Sequence, residues 1–425
     1  MKAIKNLIEK WFYLIMSRPV SGEREVVTDA TVKTVTTTQP AVTTFLAKAT
    51  EAMLAMEQFL DATYDFRFNR LTEETEYRKR NVSSACFCPV GQRELNSFCI
   101  EARKRGIDCW DRDISRYIYS GNIAEYHPFR LYMDELPEWD GADRVDDLAG
   151  RVSDSRLWLK SFHRWLLGMA AQWMEVDSLH ANSVSPVLVS RTQGKQKSTF
   201  CKMLLPRELQ RYYTDSFELS TQSGAERKLT EFGLINMDEF DKFAPRKMAL
   251  LKNLMQVVHP CIRKAHQKNY RSLPRVASFI ATSNQKELLT DPTGSRRFLC
   301  VEVEDKIDCS PLDYRQLYAQ LKAELQAGER YWFTSEEEAE IMASNDSFYR
   351  HPIEENVFRS CFRPAGYGEN PLSLTAAEIF QRLKKFNPAA MRSVSAGNFG
   401  KLLSSLGIER KHTQYGNYYQ VISLV

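Results

Sequence analysis

Ten residues carry the densest chemical signal in this chain: Ser190-Arg191-Thr192-Gln193-Gly194-Lys195-Gln196-Lys197-Ser198-Thr199. They follow the apolar run Val187-Leu188-Val189 and lead into a helical segment from about Ser198. A polar loop between a strand and a helix sets backbone N–H groups where they can cradle phosphate at the helix N-terminus. Lys197 would neutralise β- and γ-phosphate charge and Ser198 would hold Mg2+ through its hydroxyl, with Gln193, Gly194 and Thr199 completing the loop. The strict pattern G-x-x-x-x-G-K-[ST] is not met. Arg191 and Gln196 occupy its two glycine positions, and only Gly194 is left to relax the backbone.

The residues that such a site also needs come later and in order. Leu234-Ile235-Asn236-Met237 reads as an apolar strand delivering Asp238 and Glu239 at its C-terminal end. There the first acid would serve Mg2+ and Glu239 would polarise the attacking water. A plain surface acid pair is the alternative. Asn284 ends the strand candidate Ser278-Phe279-Ile280-Ala281-Thr282-Ser283 and could bond the γ-phosphate or the nucleophilic water. Arg296 and Arg297 precede another strand candidate, Phe298 to Val303, and guanidinium groups suit charge building on a transferring phosphoryl group.

These residues need a frame, and the frame is legible. Apolar strands alternating with helical segments predict a mostly parallel α/β sheet. The chain divides into a weakly structured segment at 1–43, a mostly helical domain at 44–180, a core at 181–345, a linker at 346–370 and a compact unit at 371–425. In the helical domain, Leu46 to Leu60, Gln92 to Arg105 and Asp113 to Ser120 read as helices, and Tyr64 to Arg80 as a strand or hairpin. Trp158, Phe162, Trp165, Leu166, Met169 and Trp173 form a stripe at helical spacing, with Ser153-Asp154 as its cap. Such a stripe is core.

At 425 residues, 43% hydrophobic and 26% charged, the composition excludes global disorder. No run reaches the roughly 18 apolar residues of a membrane span. Nine scattered cysteines, an odd number, favour reduced thiols and a cytoplasmic setting. Cys86, Cys88, Cys99 and Cys109 match no common zinc spacing. The net charge of +4 is small but unevenly placed. Lys242 to Lys286 holds ten Lys/Arg and no acid, while Pro371 to Val425 holds seven Lys/Arg against Glu378 and Glu409. Two basic regions so poor in acids point to a polyanion partner.

The last unit has its own pattern. Thr375 caps a helix to about Lys385, Ser395 caps another to Leu406, and Ile408 to Lys411 pairs with Tyr418 to Ile422 around Gly416-Asn417. Helix, helix and hairpin resemble a winged helix. The 395–406 helix would then enter a major groove, with Arg392, Lys401, Lys411 and His412 on phosphates. A protein-docking winged helix is the alternative.

Taken in sequence, these motifs resemble the virulence-associated protein E family, whose ATPase core is similar to superfamily 3 helicases of viruses and mobile elements. The resemblance spans about 60–425. It includes His127-Pro128-Phe129-Arg130, Leu136-Pro137-Glu138-Trp139-Asp140-Gly141 with Arg144, and Asp291-Pro292-Thr293-Gly294-Ser295-Arg296-Arg297-Phe298. It implies an AAA+-like P-loop core working as a ring, usually a hexamer. ATP with Mg2+ would lie between subunits, and Arg296 or Arg297 would reach the neighbour's nucleotide. It implies a basic hairpin within the acid-free block, here Arg263, Lys264, His266, Lys268 and Arg271 with Tyr270 among them, a composition suited to tracking single-stranded DNA. Many relatives carry a primase domain ahead of the ATPase. Residues 1–60 are too short to hold one, so primase activity would come from elsewhere, with a separate primase as a possible partner, or be absent. The expectation is therefore a DNA-dependent ATPase and superfamily 3-like helicase of mobile-element or phage replication. The alternatives are a non-hydrolysing DNA-binding protein on a degenerate phosphate loop and an ATP-dependent assembly factor docking a replication partner.

Overall fold

The computed structural model describes residues 40–425 apart from 83–85, 178, 220, 263–269, 291, 367, 393, 407 and 415. The expected weak structure at 1–43 thus falls almost wholly outside the described residues. The chain forms two compact units, one from Met1–Tyr64 with Gln92–Tyr117 and one from Asp65–Gly91 with Ile118–Val425. In the first, the helix Pro40–Thr63 extends beyond the expected Leu46 to Leu60. The Tyr64 ring lies 4.6 Å from Phe98, and its hydroxyl donates to Glu101 at 2.9 Å.

The second unit holds the strands β1 (Tyr64–Asn69, starting at the last residue of the first unit), β2 (Glu74–Lys79), β3 (Cys88–Pro89), β4 (Glu125–Tyr126), β5 (Ser185–Val189), β6 (Tyr213–Thr214), β7 (Leu234–Met237), β8 (Cys261–Ile262), β9 (Arg271–Ser272), β10 (Ser278–Ser283), β11 (Phe298–Glu302), β12 (Phe362–Pro364), β13 (Leu372–Thr375), β14 (Arg410–Thr413) and β15 (Gly416–Ser423). A small sheet runs β3-β2-β1-β4, and the main sheet runs β11-β5-β10-β7-β6. Every pairing in the main sheet is parallel. The structure is thus the expected multidomain α/β architecture with a parallel sheet.

Why the main strands are apolar on both faces is plain from what covers them. Leu188, Ile280, Leu299 and Val301 face a core that includes Trp158, Trp165 and Trp173 of the helix Arg156–Trp173 and Tyr318 of the helix Tyr314–Gln326. Val187, Val189, Ile235, Met237, Phe279 and Ala281 face a second core with Leu229 and Leu251 from the helices Gln222–Glu231 and Pro245–Leu254. A parallel sheet clad on both sides needs such continuous apolar strands. The tryptophan stripe is buried as expected, but its helix is entered through Ser155, whose side chain makes no cap bond, and not through Ser153-Asp154.

Two sequence motifs prove to be architectural. Asp140 holds Arg144 through two hydrogen bonds of 2.7 Å, and Asp143 caps the helix Arg144–Gly150 by accepting from Val145 and Asp146. Gln316 and Gln320 of the helix Tyr314–Gln326 then bind this turn. The Gln316 side chain accepts from the Asp140 N–H at 3.0 Å, and Gln320 donates to Asp143 at 2.9 Å while accepting from the Arg144 N–H at 2.9 Å. His127 caps the helix Pro128–Asp134 by accepting from the Arg130 N–H, and burial pushes its imidazole down to about 4, so it caps as the neutral ring. Phe129 beside it stacks on Trp173 at 4.6 Å.

The C-terminal unit pairs β12-β15-β13, with β14 joined to β15. The helix Ala376–Phe386 begins with the Thr375–Glu378 capping box, and the helix Ala396–Ser405 buries Phe399 and Leu403. The hairpin forms as expected, but Thr413 pairs with Gly416 and His412 with Asn417, so Gly416-Asn417 belong to β15 and not to the turn.

Gly233, just before β7, sits against Phe129: a Cβ there would lie 2.2 Å from the ring. The stacked Phe129 cannot yield without opening the core. Gly233→Ala is expected to destabilise the chain by about 1–3 kcal/mol. Denaturant unfolding measures this, and an unchanged midpoint would contradict the packing described.

Candidate phosphate-binding site

The ten-residue loop lies where the strand-to-helix reading puts it. β5 ends at Val189, and the helix Lys197–Met203 starts after seven loop residues, with Gly194 at φ 82 and Gln196 at φ 64. A left-handed glycine is easy; a left-handed glutamine is strained. Two backbone bonds tie the flanks of this loop: Val303 donates to the Val189 carbonyl at 2.7 Å, and Ile307 to the Lys195 carbonyl at 3.2 Å. Gln193, Gly194, Ser198 and Thr199 are exposed.

Lys197 is buried, at 8% exposure. Its ammonium donates to the Ser190 hydroxyl at 2.6 Å and to the Asn284 side-chain oxygen at 2.9 Å. Both partners are neutral, and among the described residues Lys197 makes no ion pair. Burial lowers its pKa against the opposing pull of the Asp238 and Asp241 charges. Ser190 and Asn284 end neighbouring strands, and the Ser190 N–H donates to the Ser283 carbonyl at 3.2 Å. The parallel register of β5 and β10 is what brings them to the same lysine.

Asp238 and Glu239 follow β7, two strands from β5. Ser198 approaches Asp238 at 3.5 Å, long for a hydrogen bond, and Thr282 donates its hydroxyl to the same carboxylate oxygen. Ser283 holds the adjacent Asp241 at 2.8 Å. Glu239 is also left-handed, at φ 52, and is engaged by Lys242 at 2.6 Å in a surface pair of the weak kind. Lys197, Ser198, Asp238, Glu239 and Asn284 therefore gather at the C-terminal ends of the parallel strands, the usual ligand side of an open α/β sheet.

Arg296 and Arg297 do not join them. They precede β11, where Phe298 pairs with Ser185 at the start of β5, while the loop follows Val189 at its end. Arg296 is half-exposed and pairs with Glu338 at 3.4 Å.

The expected nucleic-acid residues are scattered. Arg263, Lys264, His266 and Lys268 lie outside the described residues, and β8 pairs with β9 on either side of them. Arg271 in β9 is exposed and pairs with Glu73 at 3.4 Å; Tyr270 is exposed. Lys411 and His412 are exposed on β14, with His412 bonded to Asn417 at 2.8 Å, and Arg392 is exposed. The side chain of Lys401 is not among those described.

One basic residue of the acid-free block has a different task. Arg275 is buried, and it donates to the carbonyls of Ala277 at 2.7 Å, Met255 at 2.7 Å, Leu254 at 3.2 Å and Asn182 at 3.2 Å. Burial pushes its pKa down to about 9. It satisfies the end of the helix Pro245–Leu254, so the block is not wholly a polyanion surface. Sequence reading missed this role and those of Ser190 and Thr282. For Ser190 a signal was present, since a hydroxyl at the end of a buried strand needs a partner. The cysteines form no metal-holding cluster among the described residues, and all nine are free thiols. No helix among the described residues is long and apolar enough to cross a membrane.

Fold and site together define a multidomain α/β protein with a lysine–serine loop at the C-terminal strand ends of a parallel sheet. The model of the virulence-associated protein E-like domain matches residues 133–350, and the chain belongs to that family. A domain of unknown function from a B. theta gene matches residues 351–421. No curated protein matches the chain. Among solved structures it is similar to the apo structure of the NrS-1 C-terminal region, at 11% identity over 87% of this chain and 98% of that one, with a TM-score of 0.44. The A form apo structure of that region is 10% identical over 88% of this chain and 99% of that one, with a TM-score of 0.41.

The strain at Gln196 is measurable. Gln196→Gly removes a side chain from a left-handed position and is expected to raise folding stability by roughly 0.5–1 kcal/mol, the gain being trimmed by extra freedom in the unfolded chain. Thermal melts of the two proteins check it. A lower melting temperature for the glycine variant would mean that the glutamine side chain contributes more than its backbone costs.

Proposed function

We propose that this chain is an ATP-hydrolysing, DNA-dependent P-loop ATPase and superfamily 3-like DNA helicase, serving replication of a mobile element or phage. The observation that carries the reading is the buried Lys197, held between the neutral Ser190 and Asn284. A desolvated ammonium with no counter-charge in contact suits a phosphate. The strand order β11-β5-β10-β7-β6, with the lysine loop after β5 and the acids after β7, supports an AAA+-like core. Ser198 and Asp238 offer the hydroxyl and carboxylate oxygens that Mg2+ favours. Bound there, Mg2+ would neutralise charge on the phosphates.

In this reading Lys197 binds the β- and γ-phosphates. Asn284 reports the γ-phosphate by exchanging its bond with the lysine for one with the nucleotide. Glu239, on releasing Lys242, activates water. Arg296 and Arg297, at the far strand ends, complete the site of an adjacent subunit in a homo-oligomeric ring of hexamer type. The segment between β8 and β9 tracks single-stranded DNA, and the basic C-terminal unit, read as a winged helix, contacts duplex DNA or a partner protein.

A second reading has one observation in its favour: Gln196 imposes a side chain and a strained backbone on the loop. It makes the chain a DNA-binding protein that does not hydrolyse ATP. Phosphate release with and without single-stranded DNA separates the two. The first reading expects DNA-stimulated turnover that Glu239→Gln lowers by about a hundredfold or more while ATP is still bound. DNA binding without turnover would favour the second. Turnover untouched by Glu239→Gln would remove that residue from the site.

A further inference from the structure

We infer that Asn345 is the positioning residue for Arg296 and Arg297. The inference rests on the reading that these arginines act on a neighbouring subunit's nucleotide. Asn345 begins the turn after the helix Ser335–Ser344 and is fully buried. Its side-chain NH2 donates to the Ser295 carbonyl at 3.0 Å and to the Phe298 carbonyl at 2.7 Å, and its oxygen accepts from the Cys300 N–H at 3.3 Å. Ser295 and Phe298 are the residues on either side of the arginine pair. A single amide thus brackets the two-residue segment with two bonds and ties it to β11 through a third.

The same stretch reinforces the grip. The Tyr349 hydroxyl donates to the Ser295 hydroxyl, and Glu338 of the preceding helix pairs with Arg296 at 3.4 Å. Phe348 and Arg350 bond the backbone of Leu288 and Leu289, in the loop that follows Asn284. The backbone of the arginine segment is therefore fixed from inside while Arg296 remains half-exposed. This is the construction needed by a side chain that must reach out of its own subunit at a set angle. Its own lysine is out of reach, since β5 alone separates the two strand ends by roughly 13 Å.

A residue that only filled space would give a different experimental signature from one that aims an arginine. The test measures DNA-stimulated ATP hydrolysis by the full chain carrying Asn345→Ala. It is repeated with Tyr349→Phe, which removes a single hydroxyl and keeps the ring should the alanine variant fold poorly. Positioning predicts that kcat falls by about tenfold or more with Asn345→Ala, and less with Tyr349→Phe, while KM for ATP stays within about twofold. Mixing Asn345→Ala with Lys197→Ala chains should restore turnover, because each supplies what the other lacks, as a mixture of Arg296→Ala with Lys197→Ala should. If the arginine mixture recovers and neither Asn345→Ala nor Tyr349→Phe alters kcat, the inference alone is overturned. Loss in Asn345→Ala that Lys197→Ala cannot rescue, alongside recovery of the arginine mixture, also overturns it. No turnover in the unaltered chain, or no recovery of the arginine mixture, overturns the underlying reading and this inference with it.

Discussion

A buried lysine with only neutral oxygens in contact is the constraint on which the site depends. Removing an ammonium from water disfavours its charge, so burial lowers the pKa of Lys197 against the opposing Asp238 and Asp241 charges, while Ser190 and Asn284 supply its hydrogen bonds. The arrangement works because two strands distant in sequence lie side by side. Ser190 follows β5 and Asn284 follows β10, and the parallel pairing of the two strands brings both to one side chain. A phosphate bound at this loop would balance the charge of the ammonium.

The same sheet separates the chemistry into two ends. Lys197, Asp238, Glu239 and Asn284 gather beyond the C-terminal strand ends. Arg296 and Arg297 lie at the start of β11, and the β8–β9 pair precedes β10. Head-to-tail association of identical subunits is the kind of packing that brings unlike ends of such a unit together. The buried network around Arg275, Gln172 and Asn182 holds the start of β10 to the helix Arg156–Trp173, with Gln172 bonding the Arg275 carbonyl at 3.2 Å and Asn182 bonding Ser278 at 2.9 Å.

What was legible in the sequence was what depends on local spacing. Val187 to Val189, Leu234 to Met237 and Ser278 to Ser283 are short, apolar and bounded by polar residues, so the strands and the side chains at their ends could be named. The Thr375 cap and the β14–β15 hairpin were local in the same sense. Partnerships between distant residues were not legible. Arg275 looks like any other cation of the acid-free block until Leu254, Met255 and Asn182 surround it. Asn345 stands 50 residues from the Ser295 carbonyl it binds. Asp140 and Arg144 could be quoted as a motif, but their docking on Gln316 and Gln320, some 176 residues on, could not.

The measurement that tests the central claim most directly is calorimetric binding of Mg·ATP to the full chain and to Lys197→Ala. If the buried ammonium is the phosphate anchor, the unaltered chain binds saturably, and the variant, shown to be folded by its cooperative melt, binds at least about tenfold more weakly, as loss of a charged hydrogen bond requires. Equal affinity in the two proteins, or no binding to the unaltered chain, would contradict the account.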